Sequence, residues 1–477
     1  MDEKDEINLN DLFDEDKESG QKKQEREQEE YEKQAPAPFN PPENKKKTSP
    51  IRVAAAVIGS IIIAGVAFTG GMLAGRAGID DEMKSLINLK KAIQRYYYEE
   101  ISDDEFYAVL FDAVEKGILD RYSEYLSTDE LIERLQEAQG SYIGIGVAFS
   151  SNNVSADGLY IDQVSGNSPA EQAGMKDGAY LVAYGKEREQ MTALTDYTAF
   201  DEFITEQLEN ETFYIEYKNP SESQSVVTEI SRQAYVANYV YYRAKDSAYS
   251  FTGADALTIT ATEDYLAELP EKTAYIELTQ FNGSADTQFK MAMDKFKEEG
   301  KEDLVLDLRG NGGGYTDILC SIASYYTKDT QESKPLVAIA DYRDGSVERF
   351  IADGNYYGNY FTENSDIYVL ADENSASASE CLLGAMLDYG ATSYGNICLI
   401  ENNGVAKTYG KGIMQSMFYL TMFGNPDAVT LTTAKIKWPK GNCIHGIGIT
   451  KDNGTKSVQN TVLSDDELKA ALLALGV

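Results

Sequence analysis

Histidine is nearly missing from this chain: His445 is the one histidine among 477 residues. That scarcity excludes a multi-histidine metal centre and argues against catalysis built on an imidazole base. Basic residues are also few, 43 lysines and arginines against 79 aspartates and glutamates, a net charge of −36. So acidic a chain repels phosphate backbones, and nucleic acid is excluded as a partner. The four cysteines, Cys320, Cys381, Cys398 and Cys443, match no zinc-ribbon spacing. Cys320 and Cys381 fall in apolar helical runs, where a free buried thiol is expected, whereas a Cys398–Cys443 bridge is allowed but not specified.

Charge is absent altogether from Val53 to Ala74, 22 residues. A helix of that length spans a hydrocarbon core of about 30 Å, so 53–74 is expected to be a transmembrane helix. A signal peptide would have a shorter apolar core and no long acidic leader. Residues 1–52 are polar, charged and proline-punctuated, too poor in apolar side chains to offset ordering entropy, and are expected to be a disordered acidic tail. Lys45, Lys46, Lys47 and Arg52 precede the span and Asp80, Asp81 and Glu82 follow it. The positive-inside rule then puts the tail in the cytoplasm and the rest outside, as a single-pass plasma membrane protein.

Beyond the span three regions are expected. Residues 77–139 carry apolar residues at three- and four-residue intervals, the pattern of packing helices. From 140 to 232 short strands and turns take over. From 233 to 477 apolar strands alternate with helices, which predicts a mixed α/β core with functional loops at strand ends.

Chemistry concentrates in two strings. Asn374 to Glu380 reads N-S-A-S-A-S-E and runs into the apolar helical stretch Cys381–Leu387. Small residues at such a junction allow a sharp turn, an exposed hydroxyl, and free N–H groups at a helix N-terminus suited to an oxyanion. The ordinary alternative is a serine N-cap. With histidine so scarce, a serine nucleophile would need lysine as its base, neutral through burial. Lys411, between Gly410 and Gly412, is the candidate, with Gln415 to orient the amine. A third string, Leu304 to Gly314 (L-V-L-D-L-R-G-N-G-G-G), reads as a strand entering a glycine-rich loop.

The order D-L-R-x-N-x-G-G, S-A-S-A-S-E, G-K-G-x-x-Q resembles that of the carboxyl-terminal processing, or tail-specific, proteases. Tyr122–Leu126 and Tyr275–Phe281 look like further signatures, so the resemblance covers roughly residues 85 to 477. It implies Ser377 as nucleophile, Lys411 as general base, Gln415 as its support, and the N–H groups of Ala378 and Gly313 as oxyanion hole. Asp307 and Arg309 would brace the loop. The residues Tyr142–Phe149 and Ser168–Gly174 are similar to the carboxylate-binding loop and following helix of a PDZ domain. That likeness implies peptide binding at Gly144, Ile145, Gly146 and Val147, with the substrate tail added as a strand.

The implied protein is a membrane-anchored serine endopeptidase with a Ser-Lys dyad, acting on protein or peptide substrates through their C-terminal tails. It needs no metal or organic cofactor, and homo-oligomerisation is left open. Two departures from the family pattern stand out. The stretch around 400–406 is long, expected as a polar surface loop, which makes Lys407 a rival base. The segment Ile449–Asp452 lacks an expected proline. Both keep alive a non-enzymatic tail-binding protein with a degenerate protease core. His445 is expected at a turn entering a strand, as a hydrogen-bonded structural group.

Overall fold

The computed structural model describes residues 81–149, 154–220, 222–252, 258–420, 427–460 and 464–477. The expected tail 1–52 and span 53–74 lie outside them. Among the described residues no helix is long and apolar enough to cross a membrane.

The N-terminal region opens with α1 (Asp81–Tyr96) and α2 (Asp103–Ile118). Ser102 starts α2 through a capping box: its Oγ accepts from Glu105 N, and Glu105 returns a carboxylate to Ser102 N at 2.8 Å. Then come β1 (Glu124–Leu126) and α3 (Thr128–Gln139). The short strand corrects the expectation of a purely helical region, for it pairs antiparallel with a strand of the C-terminal domain, Leu126 opposite Ala428.

The next region contains β2 (Ser141–Gly144), β3 (Val147–Ala148), β4 (Val154–Ser155), β5 (Gly158–Tyr160), β6 (Gln163–Val164) and a single helical turn, α4 (Pro169–Gln172). It continues with β7 (Tyr180–Glu187), β8 (Gln190–Ala193), α5 (Tyr197–Glu206), β9 (Thr212–Lys218) and β10 (Val226–Ser231). Its main sheet runs β10-β9-β7-β5-β4, with β8 on β7. The region has its own core, in which Leu159, Ile161, Leu181, Phe213 and Ile215 are fully buried and Phe200 of α5 closes one side. Each such side chain contributes about 1.5–3 kcal/mol relative to exposure.

The third region starts with β11 (Gln233–Val236), which pairs back onto β2, then β12 (Val240–Arg243), β13 (Ala248–Thr252), β14 (Thr258–Ala261) and β15 (Thr273–Leu278). There follow α6 (Ala285–Glu298), β16 (Asp303–Asp307), α7 (Thr316–Ala323), β17 (Leu336–Tyr342), β18 (Val347–Ile351), β19 (Ile367–Ala371) and α8 (Ala378–Asp388). The chain finishes with β20 (Ile397–Asn402), β21 (Val405–Ala406), β22 (Ile413–Tyr419), β23 (Ala428–Lys437), β24 (Lys456–Gln459) and α9 (Ser464–Leu475).

The central sheet has the order β14-β13-β12-β15-β16-β19-β20-β21, with β24 on β20, and β15, β16, β19 and β20 are parallel. Phe289 and Phe296 of α6, Ile322 of α7 and Leu382 and Met386 of α8 cover one face. Leu468 and Leu472 of α9 cover the other, against Tyr275, Val305, Leu370 and Ile400. Burial on both faces explains why these strands are continuous apolar runs rather than alternating ones. A second sheet, β1-β23-β17-β18 with β22 on β23, packs beside it.

The stretch 400–406 is a β-hairpin rather than a loop. Asn403 and Gly404 both have positive φ, 49° and 80°, so the two residues make the tight turn between β20 and β21. All four cysteines are free: Cys320, Cys381 and Cys398 are buried and Cys443 is exposed. His445 also departs from expectation: it is exposed on a turn, and no strand follows directly.

Candidate active site

The serine and glycine strings meet because β16 and β19 are adjacent parallel strands, with Asp307 opposite Leu370. Their outgoing loops therefore leave the same edge of the sheet, the usual site of chemistry in such folds. Asp307 and Arg309 brace the glycine loop: the Arg309 guanidinium pairs with Asp307 and with Glu467, each at 2.6 Å, and Tyr275 donates to Asp307 at 2.5 Å. Asn311 pins the loop to β15 through Leu278 O at 2.7 Å.

The three serines have different surroundings. Ser375 is fully buried and donates to Leu308 O at 2.7 Å. Ser379 is fully buried and donates to Asn311 O at 2.8 Å. Both knit the two loops together. Ser377 is half-buried and carries φ 56° and ψ −112°. A non-glycine residue held there costs about 1–3 kcal/mol, a strain that clusters at functional turns. Ala378 follows as the first residue of α8, where its N–H has no intrahelical carbonyl to meet.

Gly313 is pressed against this turn: a Cβ on it would come within 2.8 Å of Ser377 Cβ and 2.9 Å of Ala378 N. The close approach, with φ 105°, requires glycine. Its N–H, expected in the oxyanion hole, is donated to Asn311 Oδ1 at 2.9 Å.

Sequence reasoning passed over Glu380, which joins the serine loop to the lysine strand. Its Oε2 accepts Ser377 N–H at 3.2 Å and Lys411 N–H at 2.8 Å. Its Oε1 accepts Thr408 Oγ1–H at 2.6 Å and Gly410 N–H at 2.8 Å. Burial pushes this carboxyl above the usual carboxylate range, against the pull of those four donors. The final glutamate of S-A-S-A-S-E, three residues into the helix from Ser377, was the available signal.

Lys411 is half-buried, and among the described residues its ammonium has no ion-pair partner. Burial lowers its pKa, helped by the Arg134 guanidinium and opposed by Asp120, Glu124 and Glu380. It shares a cavity of about 520 Å³ with Gln415, Tyr122 and Arg134. The Gln415 amide donates to Thr432 Oγ1 at 3.1 Å. Gly412 lets the turn carrying His445 come close, since a Cβ on it would meet His445 N at 2.8 Å. Lys407 bridges to Thr450 and does not line the Lys411 cavity.

Gly144, Ile145, Gly146 and Val147 line a separate cleft of about 1190 Å³. Ile145 O and Gly146 O accept from Ala170 N and Ser165 N at 2.8 and 2.9 Å, which holds the loop open toward the cleft. Phe149 and Phe200 form part of its apolar wall, 6.1 Å apart between ring centroids. The cleft extends to Thr279, Gln280 and Asn282, and Asn282 abuts Gly314 of the glycine loop.

Residues 272–454 match the family model described as peptidase family S41. Probable CtpA-like serine proteases of Staphylococcus aureus are similar over most of the chain. That of strain bovine RF122 / ET3-1 is 26% identical over 375 residues, 78% of this chain and 64% of the relative. That of strain MRSA252 is 26% identical over 408 residues, 83% and 71% of the two lengths. Solved structures with looser likeness include a photosystem II D1 C-terminal processing protease, 19% identical, TM-score 0.45, covering 82% of this chain and 98% of that one. A putative S41 protease from Bacteroides fragilis NCTC 9343 is 16% identical, TM-score 0.48, with coverage of 84% and 98%. Residues 272–454, which hold the glycine loop, the serine turn and Lys411, are thus the part of the chain similar to peptidase family S41, and the similarity supports a serine-type peptidase.

Proposed function

We propose that this protein is a membrane-anchored serine endopeptidase in which Ser377 and Lys411 form a catalytic dyad. Ser377 Oγ attacks the scissile carbonyl carbon while the neutral Lys411 amine takes the hydroxyl proton. The C–N bond then breaks, and Lys411 returns that proton to the leaving amine. Water, deprotonated by the same lysine, cleaves the acyl-enzyme ester and restores Ser377. The Ala378 N–H stabilises the oxyanion, with Gly313 as second donor once Asn311 releases it. Gln415 keeps the lysine in place. One observation carries the reading: the Ser377 and Lys411 N–H groups share one carboxylate oxygen of Glu380, and the lysine is half-buried with no ion-pair partner among the described residues.

Residues 140–232 act as a PDZ-type module. A substrate tail adds beside β3 with its carboxylate on the N–H groups of the Gly144–Val147 loop, and the chain upstream follows the cleft toward Asn282. Residues 53–74 anchor the protein, with 1–52 cytoplasmic and the peptidase outside.

A fluorophosphonate probe on the full-length chain tests the catalytic assignment. Label is expected on Ser377, with loss of labelling in Ser377→Ala. Binding of tail peptides with neither labelling nor hydrolysis would instead favour a tail receptor, a reading supported by the engaged Gly313 N–H. For topology, a cysteine introduced at residue 20 of a Cys443→Ser background should resist an impermeant thiol reagent on intact cells. Its labelling from outside would overturn the orientation.

A further inference from the structure

One wall of the Lys411 cavity is contributed by the N-terminal region, whose periodicity reads as plain helix packing. The end of α2 supplies Glu115 and Lys116, the following turn supplies Asp120, Arg121 and Tyr122, β1 supplies Glu124, and α3 supplies Arg134. Pairing of β1 with β23 holds this wall in place. A hydrogen-bond chain reinforces it: Ser123 Oγ donates to Asp120 at 2.8 Å, Thr432 N donates to Ser123 Oγ at 2.9 Å, and Gln415 donates to Thr432. The Arg121 guanidinium lies over the rings of Tyr122 and Tyr409, 4.8 and 5.4 Å from their centroids. Tyr122 in turn faces Lys411 Nζ, 5.4 Å from ring centroid to nitrogen.

Arg134 is fixed by Glu124 at 2.8 Å, with both side chains a little over one-third exposed. We propose that Arg134, anchored by Glu124, is a positioning residue for the peptidase reaction, a cation that lines the Lys411 cavity together with Lys116 and Arg121 and acts on the reaction through the Lys411 amine. The inference rests on Lys411 being the base.

The charges around Lys411 oppose one another. Arg134 works against protonation, whereas Asp120 and Glu124 on the same wall, and Glu380 from α8, work for it. The Tyr122 ring face also favours an ammonium. Burial is the largest influence and Arg134 the next, so the amine is held below the ordinary lysine range. Because Arg134 is partly solvated, its influence is screened by water and salt.

The test measures two quantities on the full-length chain across pH. The first is kcat/KM on a tail peptide. The second is acylation of Lys411 by a lysine-selective reagent, quantified by peptide mass spectrometry in a Ser377→Ala background, which reads the amine without any turnover. Arg134→Gln should move both curves to higher pH and lower kcat/KM at pH 7 by about threefold, the size of a charge acting across a solvated cavity. Arg134→Lys should restore them, and Glu124→Gln should move them the opposite way. A residue that merely supports the fold would shift neither midpoint. An unmoved acylation midpoint in Arg134→Gln, or shifts of the same sign in Arg134→Gln and Glu124→Gln, would overturn the proposal. A moved acylation midpoint with an unmoved rate curve would show that Arg134 acts on the Lys411 amine but would remove Lys411 as the base, and with it the role of Arg134 in the reaction.

Discussion

Glu380 and Lys411 are joined through the backbone: Oε2 of the buried glutamate accepts the Lys411 N–H at 2.8 Å. The same oxygen takes the Ser377 N–H, so a single carboxylate on α8 spaces the two proposed partners of the dyad. Neither partner makes this contact through its reactive atom. Glu380 is therefore a positioning residue, and what it supplies is the relative placement of two main-chain segments.

Glu380→Ala should lower kcat on the order of a hundredfold, the usual consequence of misplacing reacting groups by about 1 Å. Tail-peptide affinity proposed for the Gly144–Val147 loop, which makes no contact with Glu380, should be preserved. Steady-state kinetics combined with peptide titration checks both. A variant with unchanged kcat would show that Glu380 serves stability only.

The three serines should separate by phenotype. Ser377→Ala should abolish turnover while leaving unfolding unchanged, since it removes no fully buried hydroxyl donor. Ser375→Ala and Ser379→Ala each remove a buried hydroxyl donor and should destabilise by about 1–3 kcal/mol. Denaturant titration followed by fluorescence of Trp438, the one tryptophan, measures this. The indole packs against Gly384 of α8 and so reports on the helix that carries the serine turn.

Activity should rise with pH. In the proposed dyad the working form of Lys411 is the neutral amine, present above its pKa and lost as pH falls through it. Burial and Arg134 lower that pKa, so the rising limb should lie below the ordinary lysine range of about 10.4. Lys411→Ala should abolish turnover, whereas Lys407→Ala and His445→Gln should retain most of it with the same limb. The pH dependence of kcat/KM for the four proteins decides this, and loss of activity in Lys407→Ala alone would move the base.

Thiol chemistry should single out Cys443. Burial pushes Cys320 and Cys381 up to about 12 and Cys398 up to about 11. A soluble maleimide at pH 7 should therefore label one thiol in the folded protein and all four after denaturation. Labelling of Cys381 at the rate of Cys443 would show that α8 opens readily.

Much of the fold was legible in local patterns. The helix ending at Ile118, the strand entering the glycine loop and the helix after the serine string appear where periodicity put them. The hairpin at 400–406 departs from the expected surface loop: polarity signals only exposure, whereas the Asn403-Gly404 pair supplies the tight turn. The strand Glu124–Leu126 carried no usable local signal: three residues have no periodicity, and their partner, β23, lies far along the chain.

By itself the sequence determined the longer elements, the glycine loop and the serine, lysine and glutamine strings, because strand and helix periodicity are properties of neighbouring residues. Which of three equivalent serines is left half-buried was decided only by the tertiary structure, through the Leu308 and Asn311 carbonyls that claim the hydroxyls of the other two. The environment of Lys411 was decided there as well. Desolvation and charge at an amine depend on every group that packs around it. Here those groups come from the N-terminal turn and helix α3, from α8 and from β22, which only folding brings to one place.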